Sequence, residues 1–335
     1  MVDRIEFTFP SSDGLTQIRA LKWVPDKEVV LKGILQLVHG MQEFIDRYDD
    51  FARFMAEHGY VVYGHDLLGH GASILNGDER RWGYFGTNPT PEDTNTDGRA
   101  RFSSRSDDGE KEGCRILVRD IRRLQSIAQD EYPHLPCFLL GHSMGSFLAR
   151  AFLCLYGSSL KGAVISGTAW HTALEANAGM VLAQAIAHSH SWFYRSPLLN
   201  KMVLGSSNKQ FVPARTPADW LTRDEKIVDA YLADRRTQFT FTCNGFYSLF
   251  QTLHYLTVRS NLERMPKNLP VLFIAGAQDP IGSNGDGPRK AAVQFTALGL
   301  DRTACKIYPQ CRHEVLNELN REEVYRDVLN FLDKT

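Results

Sequence analysis

The sequence lacks any strong bias of charge. Its 335 residues hold 38 Lys and Arg against 39 Asp and Glu, a formal net charge of −1. So even a balance provides no broad attraction for nucleic acid or an anionic membrane. No run of eighteen apolar residues occurs, so no segment reads as a membrane span. The opening MVDRIEFTFP has neither the basic n-region nor the apolar h-region of a secretory signal. The six cysteines, Cys114, Cys137, Cys154, Cys243, Cys305 and Cys311, form no C-x-x-C pair and no zinc-site spacing. They read as reduced and structural, which together with the missing signal leads us to expect a cytoplasmic protein needing no metal. Internal repeats are also absent.

What the chain does contain is ordinary globular composition, with 43% hydrophobic and 23% charged residues. Its length suits one large domain, or a domain carrying a sizeable insertion. After an opening hairpin (IEFTF and TQIRALKWV around SSDG), short apolar runs alternate with helical patterns. GILQLVHG, YVVYGHD, CFLLGHS, GAVISGT, VLFIAGAQD and CKIYP read as strands. Stretches such as IDRYDDFARFMAEHG, CRILVRDIRRLQSIAQDEYP and NREEVYRDVLNFL read as amphipathic helices. This rhythm predicts an α/β fold, a mostly parallel sheet flanked by helices on both faces.

Two segments break the rhythm. Residues 87–111 are polar and rich in Gly, Pro, Ser and Asp, and read as a mobile surface loop. Residues 169–262 are helical and aromatic, with Trp170, Trp192, Trp220, Phe239 and Phe246 among them, and read as an inserted cap over the sheet. The expected organisation is therefore a core of 1–168 and 263–335 with a helical cap or lid at 169–262. Peripheral membrane contact through that cap is left open.

The chemistry centres on FLLGHSMGSFLAR. A G-x-S-x-G match alone is a weak signal. Ser143, however, follows an apolar strand and precedes a helix, the setting of a nucleophile elbow. Gly141 and Gly145 remove side chains that would clash in so tight a turn. A serine hydroxyl needs a base and an orienting carboxylate, in the chain order Ser, acid, His. Asp279 ends the strand VLFIAGAQ, and His313 lies in the loop after the last strand. Asp286 and Asp301 read as turn residues. His171, His188, His190 and His254 fall in the cap and read as packing or surface groups. The backbone amides of Met41, after the strand ILQLV, and Met144, at the helix start, suit an oxyanion hole. His39, Glu43, Asp66 and His70 read as braces for their loops.

These residues give the chain its resemblance to the α/β-hydrolase superfamily. Within it, LVHGMQEFIDRYDDFARFMAEHGYVVYGHDLLGHGAS, FLLGHSMGSFLAR, AGAQDPIG and YPQCRHEVLNE are similar to the monoacylglycerol lipase and lysophospholipase-like (serine-aminopeptidase-like) family. The stretch NKQFVPARTPADWLTRDEKIVDAYLAD looks like its bacterial branch. The resemblance implies an α/β-hydrolase fold, a Ser143–Asp279–His313 triad and no cofactor. It also implies a serine carboxylic ester hydrolase acting on a small-molecule or single-chain lipid ester, such as a lysophospholipid or monoacylglycerol. Two departures stand out: LLGHG replaces a frequent His-Arg pair before GHG, and 87–111 has no family counterpart. Alternatives are an esterase or thioesterase for short acyl groups, an aminopeptidase-like peptidase, or a non-catalytic binding protein. Oligomeric state is unreadable.

Overall fold

Strand GILQLV shows how the sheet is built. Ile34 and Val38 point to one face and Leu35 and Leu37 to the other, and all are buried. A strand covered on both sides has to be apolar throughout, and the period of two sends alternate residues into two separate cores. The computed structural model describes residues 1–86 and 112–335, so the loop expected at 87–111 lies outside the described residues.

Eight strands form a single sheet in the order β1-β2-β4-β3-β5-β6-β7-β8. The hairpin β1 (Asp3–Pro10) and β2 (Gln17–Val24) is antiparallel, and β2 meets β4 (Tyr60–His65) antiparallel. From β4 onward, through β3 (Gly33–Val38), β5 (Cys137–His142), β6 (Gly162–Ser166), β7 (Val271–Gly276) and β8 (Thr303–Tyr308), every pairing is parallel. Helices α1 (Asp49–Glu57), α2 (Gly113–Glu131), α3 (Met144–Tyr156), α9 (Asp286–Ala297) and α10 (Arg321–Asp333) provide the crossovers and the end of the chain. One face packs on α1 and α10 through Phe51, Met55, Val324 and Val328. The other packs on α2, α3 and α9 through Ile121, Leu124, Phe152 and Phe295. Asp286, read as a turn residue, instead opens α9, because Gly285 at φ 94° turns the chain into the helix one residue earlier.

The chain between β6 and β7 supplies α4 (Ala173–Ser189), α5 (Pro197–Leu204), α6 (Glu225–Ala233), α7 (Cys243–Tyr255) and α8 (Arg259–Leu262). A reciprocal capping box of Thr172 and Glu175 starts α4, and Ser196 caps α5 with Pro197 at its first position. Ala218, Leu221 and Val228 form a small core of their own with Trp220 and Tyr231 packed against it. Helix α7 differs from its neighbours. Its residues are buried almost all round, and it packs against α2, α3 and α4. Its buried polar residues Asn244, Ser248 and Thr252 are enclosed along with the apolar ones, so the helix belongs to the interior and not to a solvent-facing lid.

Candidate active site

Every parallel strand runs to the same edge of the sheet, so the loops after β3, β5, β7 and β8 converge. At the end of β5 the chain turns straight into α3, and Ser143 takes φ 53° and ψ −120°. For a residue with a Cβ this conformation costs on the order of 1–3 kcal/mol and persists only when the surroundings enforce it. Here they do. A Cβ on Gly145 would sit 2.2 Å from the Val38 carbonyl oxygen, and one on Gly141 would sit 2.3 Å from that of Gly145. Only glycine lets strand, elbow and helix approach so closely. The Ser143 amide is held by the Ser166 carbonyl at 2.9 Å.

Asp279 follows β7 and is completely buried. Its Oδ1 accepts the Ile281 amide and lies 2.9 Å from His313 Nδ1. A carboxylate only accepts, so Nδ1 carries the proton and Nε2 is the basic nitrogen of His313. Burial alone would lower the His313 pKa. The adjacent Asp279 charge and hydrogen bond, helped by Glu314 and Glu43, outweigh it and raise the pKa above its ordinary 6.5. The His142 ring lies 4.7 Å from His313, and burial, then the neighbouring His313, push its pKa down to about 3. His142 therefore stays neutral at ordinary pH.

Met41, Ser143, Met144 and His313 all face one cavity of about 500 Å³. Met144 is the first residue of α3, so its amide has no intrahelical acceptor. The Met41 amide makes no backbone hydrogen bond among the described residues. Away from these groups the walls are largely apolar: Phe147, Ala176, Gly179 and Leu182, then Val203 from α5 and Leu249 and Phe250 from α7. The predicted nucleophile, base and amides thus meet at one pocket, with Asp279 behind the base. Ser143 Oγ makes no hydrogen bond to His313 among the described residues. Such bonds often tighten only in the substrate complex.

The braces also find their partners. His39 Nδ1 bonds the Gly40 carbonyl while its Nε2 accepts the Leu67 amide. Asp66 accepts the amides of Ile45 and Ala72. His70 stacks on Phe85. His171, read as a packing group, lines the cavity, and so does Trp220, whose ring lies 5.1 Å from that of His313. Glu43 and Glu314 line it too, both bonded to Arg47. No local pattern marks Trp220, Arg47 or Glu314, because each acquires its role from a partner far away in sequence. All six cysteines are free; five are buried and Cys305 is exposed. No group of three or more His, Cys, Asp or Glu among the described residues is placed to hold a metal, and no helix among them is long and apolar enough to cross a membrane.

This sheet order, with an elbow at the end of its central strand, defines a hydrolase of the α/β-hydrolase class. The chain belongs to the family Hydrolase_4, described as Serine aminopeptidase, S33, whose model matches residues 30–320. It is 26% identical over 340 residues to a monoacylglycerol lipase of Mycolicibacterium smegmatis, covering 98% of this chain and 97% of that protein. It is 23% identical to the monoglyceride lipase of Rattus norvegicus, covering 86% and 81%. Among solved structures, a thermostable carboxyl esterase from Bacillus coagulans in complex with glycerol superposes with a TM-score of 0.81 at 25% identity, covering 100% of this chain and 99% of that one. A monoglyceride lipase variant from Saccharomyces cerevisiae shares the fold, with a TM-score of 0.68 at 16% identity over 95% and 92%.

Proposed function

We propose that this protein is a serine carboxylic ester hydrolase for single-chain lipid esters, monoacylglycerols or lysophospholipids, whose acyl chain lies in the apolar cavity. The observation that carries the reading is the strained Ser143 opening on the same cavity as the Asp279-bonded His313. His313 Nε2 takes the hydroxyl proton as Ser143 Oγ attacks the ester carbonyl, and Asp279 stabilises the imidazolium. The amides of Met41 and Met144 stabilise the tetrahedral oxyanion; one such donor contributes roughly 3 kcal/mol to barrier lowering. The imidazolium returns its proton to the departing alcohol. Water, deprotonated by His313, then frees the acid and regenerates Ser143. Residues 169–262 act as the cap that walls the acyl site.

The relatives that hydrolyse monoacylglycerols and the esterase carrying glycerol support this substrate class. The family description names an aminopeptidase, which would need a free acidic group to anchor a substrate amine. Two of the three cavity carboxylates argue otherwise. Both oxygens of Glu43 and both of Glu314 are already taken by internal donors. Glu175 closes the capping box of α4 through Oε2 alone, so this exposed cavity carboxylate is where an amine-anchoring reading would have to be tested.

Labelling with a fluorophosphonate, together with turnover on p-nitrophenyl esters of increasing chain length, tests the proposal. Ser143-dependent labelling and a preference for medium or long chains are expected. Best turnover on acetate, with none beyond butyrate, would favour the short-chain esterase. Wild-type protein that stays unlabelled would point to a binding protein.

A further inference from the structure

The loop after β3 and the loop after β8 provide the expected oxyanion amide and the expected base, yet no backbone hydrogen bond joins them among the described residues. Three buried charged side chains join them. Arg47 gives Nη1 and Nη2 to Glu314 Oε1 and Oε2 at 2.6 and 2.7 Å, and Nη1 also reaches Glu43 Oε2 at 3.0 Å. Glu43 Oε1 accepts the Gly40 amide, one residue before Met41, and the Tyr48 hydroxyl at 3.0 Å. Glu314 follows His313 directly, and its Oε2 accepts Asn317 Nδ2 at 2.9 Å. The side chains of Arg47, Glu43 and Glu314 are only 10%, 4% and 5% exposed.

Two carboxylates share one guanidinium, so the cluster has one negative charge more than positive. Buried charge is costly unless paired and hydrogen-bonded. We propose that Glu43, Arg47 and Glu314 form a clamp of positioning residues. It holds the Gly40–Met41 loop in register with the His313 loop, and its surplus negative charge stabilises the imidazolium during ester hydrolysis. The proposal rests on His313 being the general base.

The electrostatics agree. The charged and titratable groups that face His313 are Asp279 from the loop after β7, His142 from the end of β5, and Glu314 and Glu43 with Arg47 behind them. His142 is neutral, so the carboxylates dominate. Burial works against ionisation of Glu314, but Arg47 holds its pKa down to about 2, and it stays charged through the working range. Glu43 accepts the Gly40 amide and the Arg47 guanidinium, and Arg47 opposes the upward push that burial exerts on its pKa.

The test is Glu314→Gln, which keeps the shape and removes the charge, with Glu43→Gln as a second variant at the other end of the clamp. Hydrolysis of a medium-chain monoacylglycerol is followed by chromatography from pH 5 to 9, and folding is checked by thermal melting. The acid limb of kcat/KM should move down by roughly half a unit or more in each folded variant. Turnover should fall about tenfold or more, with KM changed far less, as loop register is lost. A folded Glu314→Gln protein whose acid limb stays in place, or moves up, overturns the proposal. If Glu314→Gln does not fold, the Glu43→Gln limb decides. Ser143→Ala separates the two readings: full turnover in that variant would defeat the nucleophile assignment itself, whatever the limbs do.

Discussion

A Cβ placed on Gly40 would lie 2.9 Å from the Cβ of Ser143. The loop that carries the Met41 amide thus packs directly on the nucleophile, and a side chain at Gly40 also meets Glu43 Oε1 at 2.6 Å. Gly40→Ala has to displace one or the other. Misplacement by about 1 Å can cost on the order of a hundredfold in rate. Steady-state kinetics should show kcat lowered by at least tenfold, with a much smaller change in KM. Wild-type kcat would refute a tight loop.

The backbone of Ser143 sits where glycine is comfortable and other residues are strained. Ser143→Gly removes the hydroxyl and relieves that strain, against the extra entropy glycine gains when unfolded. The expected protein does not hydrolyse esters, yet melts at the wild-type temperature or a few degrees higher. A clear drop in melting temperature would show that the elbow is not strained.

Activity should fail on the acid side with a midpoint above 6.5. His313 acts as a base only when neutral, and Asp279, against the pull of burial, raises its pKa. The pH dependence of kcat/KM measures this directly. A midpoint well below 6.5 would contradict the pairing with Asp279.

Stability should follow pH through different histidines. His65 is fully buried, neither ring nitrogen has a partner among the described residues, and burial lowers its pKa to about 3. His142 is held equally low, by burial first and then by His313. The unfolded chain, with imidazoles near 6.5, therefore binds these protons first. The stabilisation is complete above pH 6.5 and declines as pH falls from there toward 3, by at most ~1.4 kcal/mol per pH unit for each ring. Urea midpoints at pH 7.5 and pH 5 compare the two conditions, and His65→Phe should flatten the difference.

Acyl-chain selectivity should respond to α4. Ala176 is buried and lines the cavity wall. Ala176→Phe would fill that space, so turnover on long-chain esters should drop far more than turnover on acetate. An unchanged chain-length profile would place the acyl group elsewhere.

Much of this could be read from the sequence because it is local. The period of two in GILQLV, the glycines around Ser143 and the strand ends at Asp279 and His313 each carry their signal within a few residues. Arg47 and Glu314 could not be read that way. They are 267 residues apart and are ordinary charged residues until the fold joins them. Helix α7 was assigned to the inserted segment by its place in the chain, and only three-dimensional packing shows it against α2 and α3. The helical place of Asp286 is hidden in sequence because glycine more often follows a helix than precedes one, and here Gly285 stands at the N-cap.

The stretch around Trp220 bears on engineering. The His313 amide bonds the Trp220 carbonyl at 3.3 Å, the Glu314 amide bonds that of Leu221 at 2.7 Å, and Thr222 Oγ1 bonds the Asn317 carbonyl at 2.9 Å. Arg223 adds an ion pair to the buried Glu318. Helices α4 and α5 wall the cavity and are natural units to exchange when a new ester is wanted. A chimera that also replaced residues 219–223 would remove the strip against which the base loop is built. Splice points directly after α5, before Asn208, whose Oδ1 accepts the Trp220 amide, and Phe211, which packs on Arg312, would change the pocket and leave the chemistry its footing.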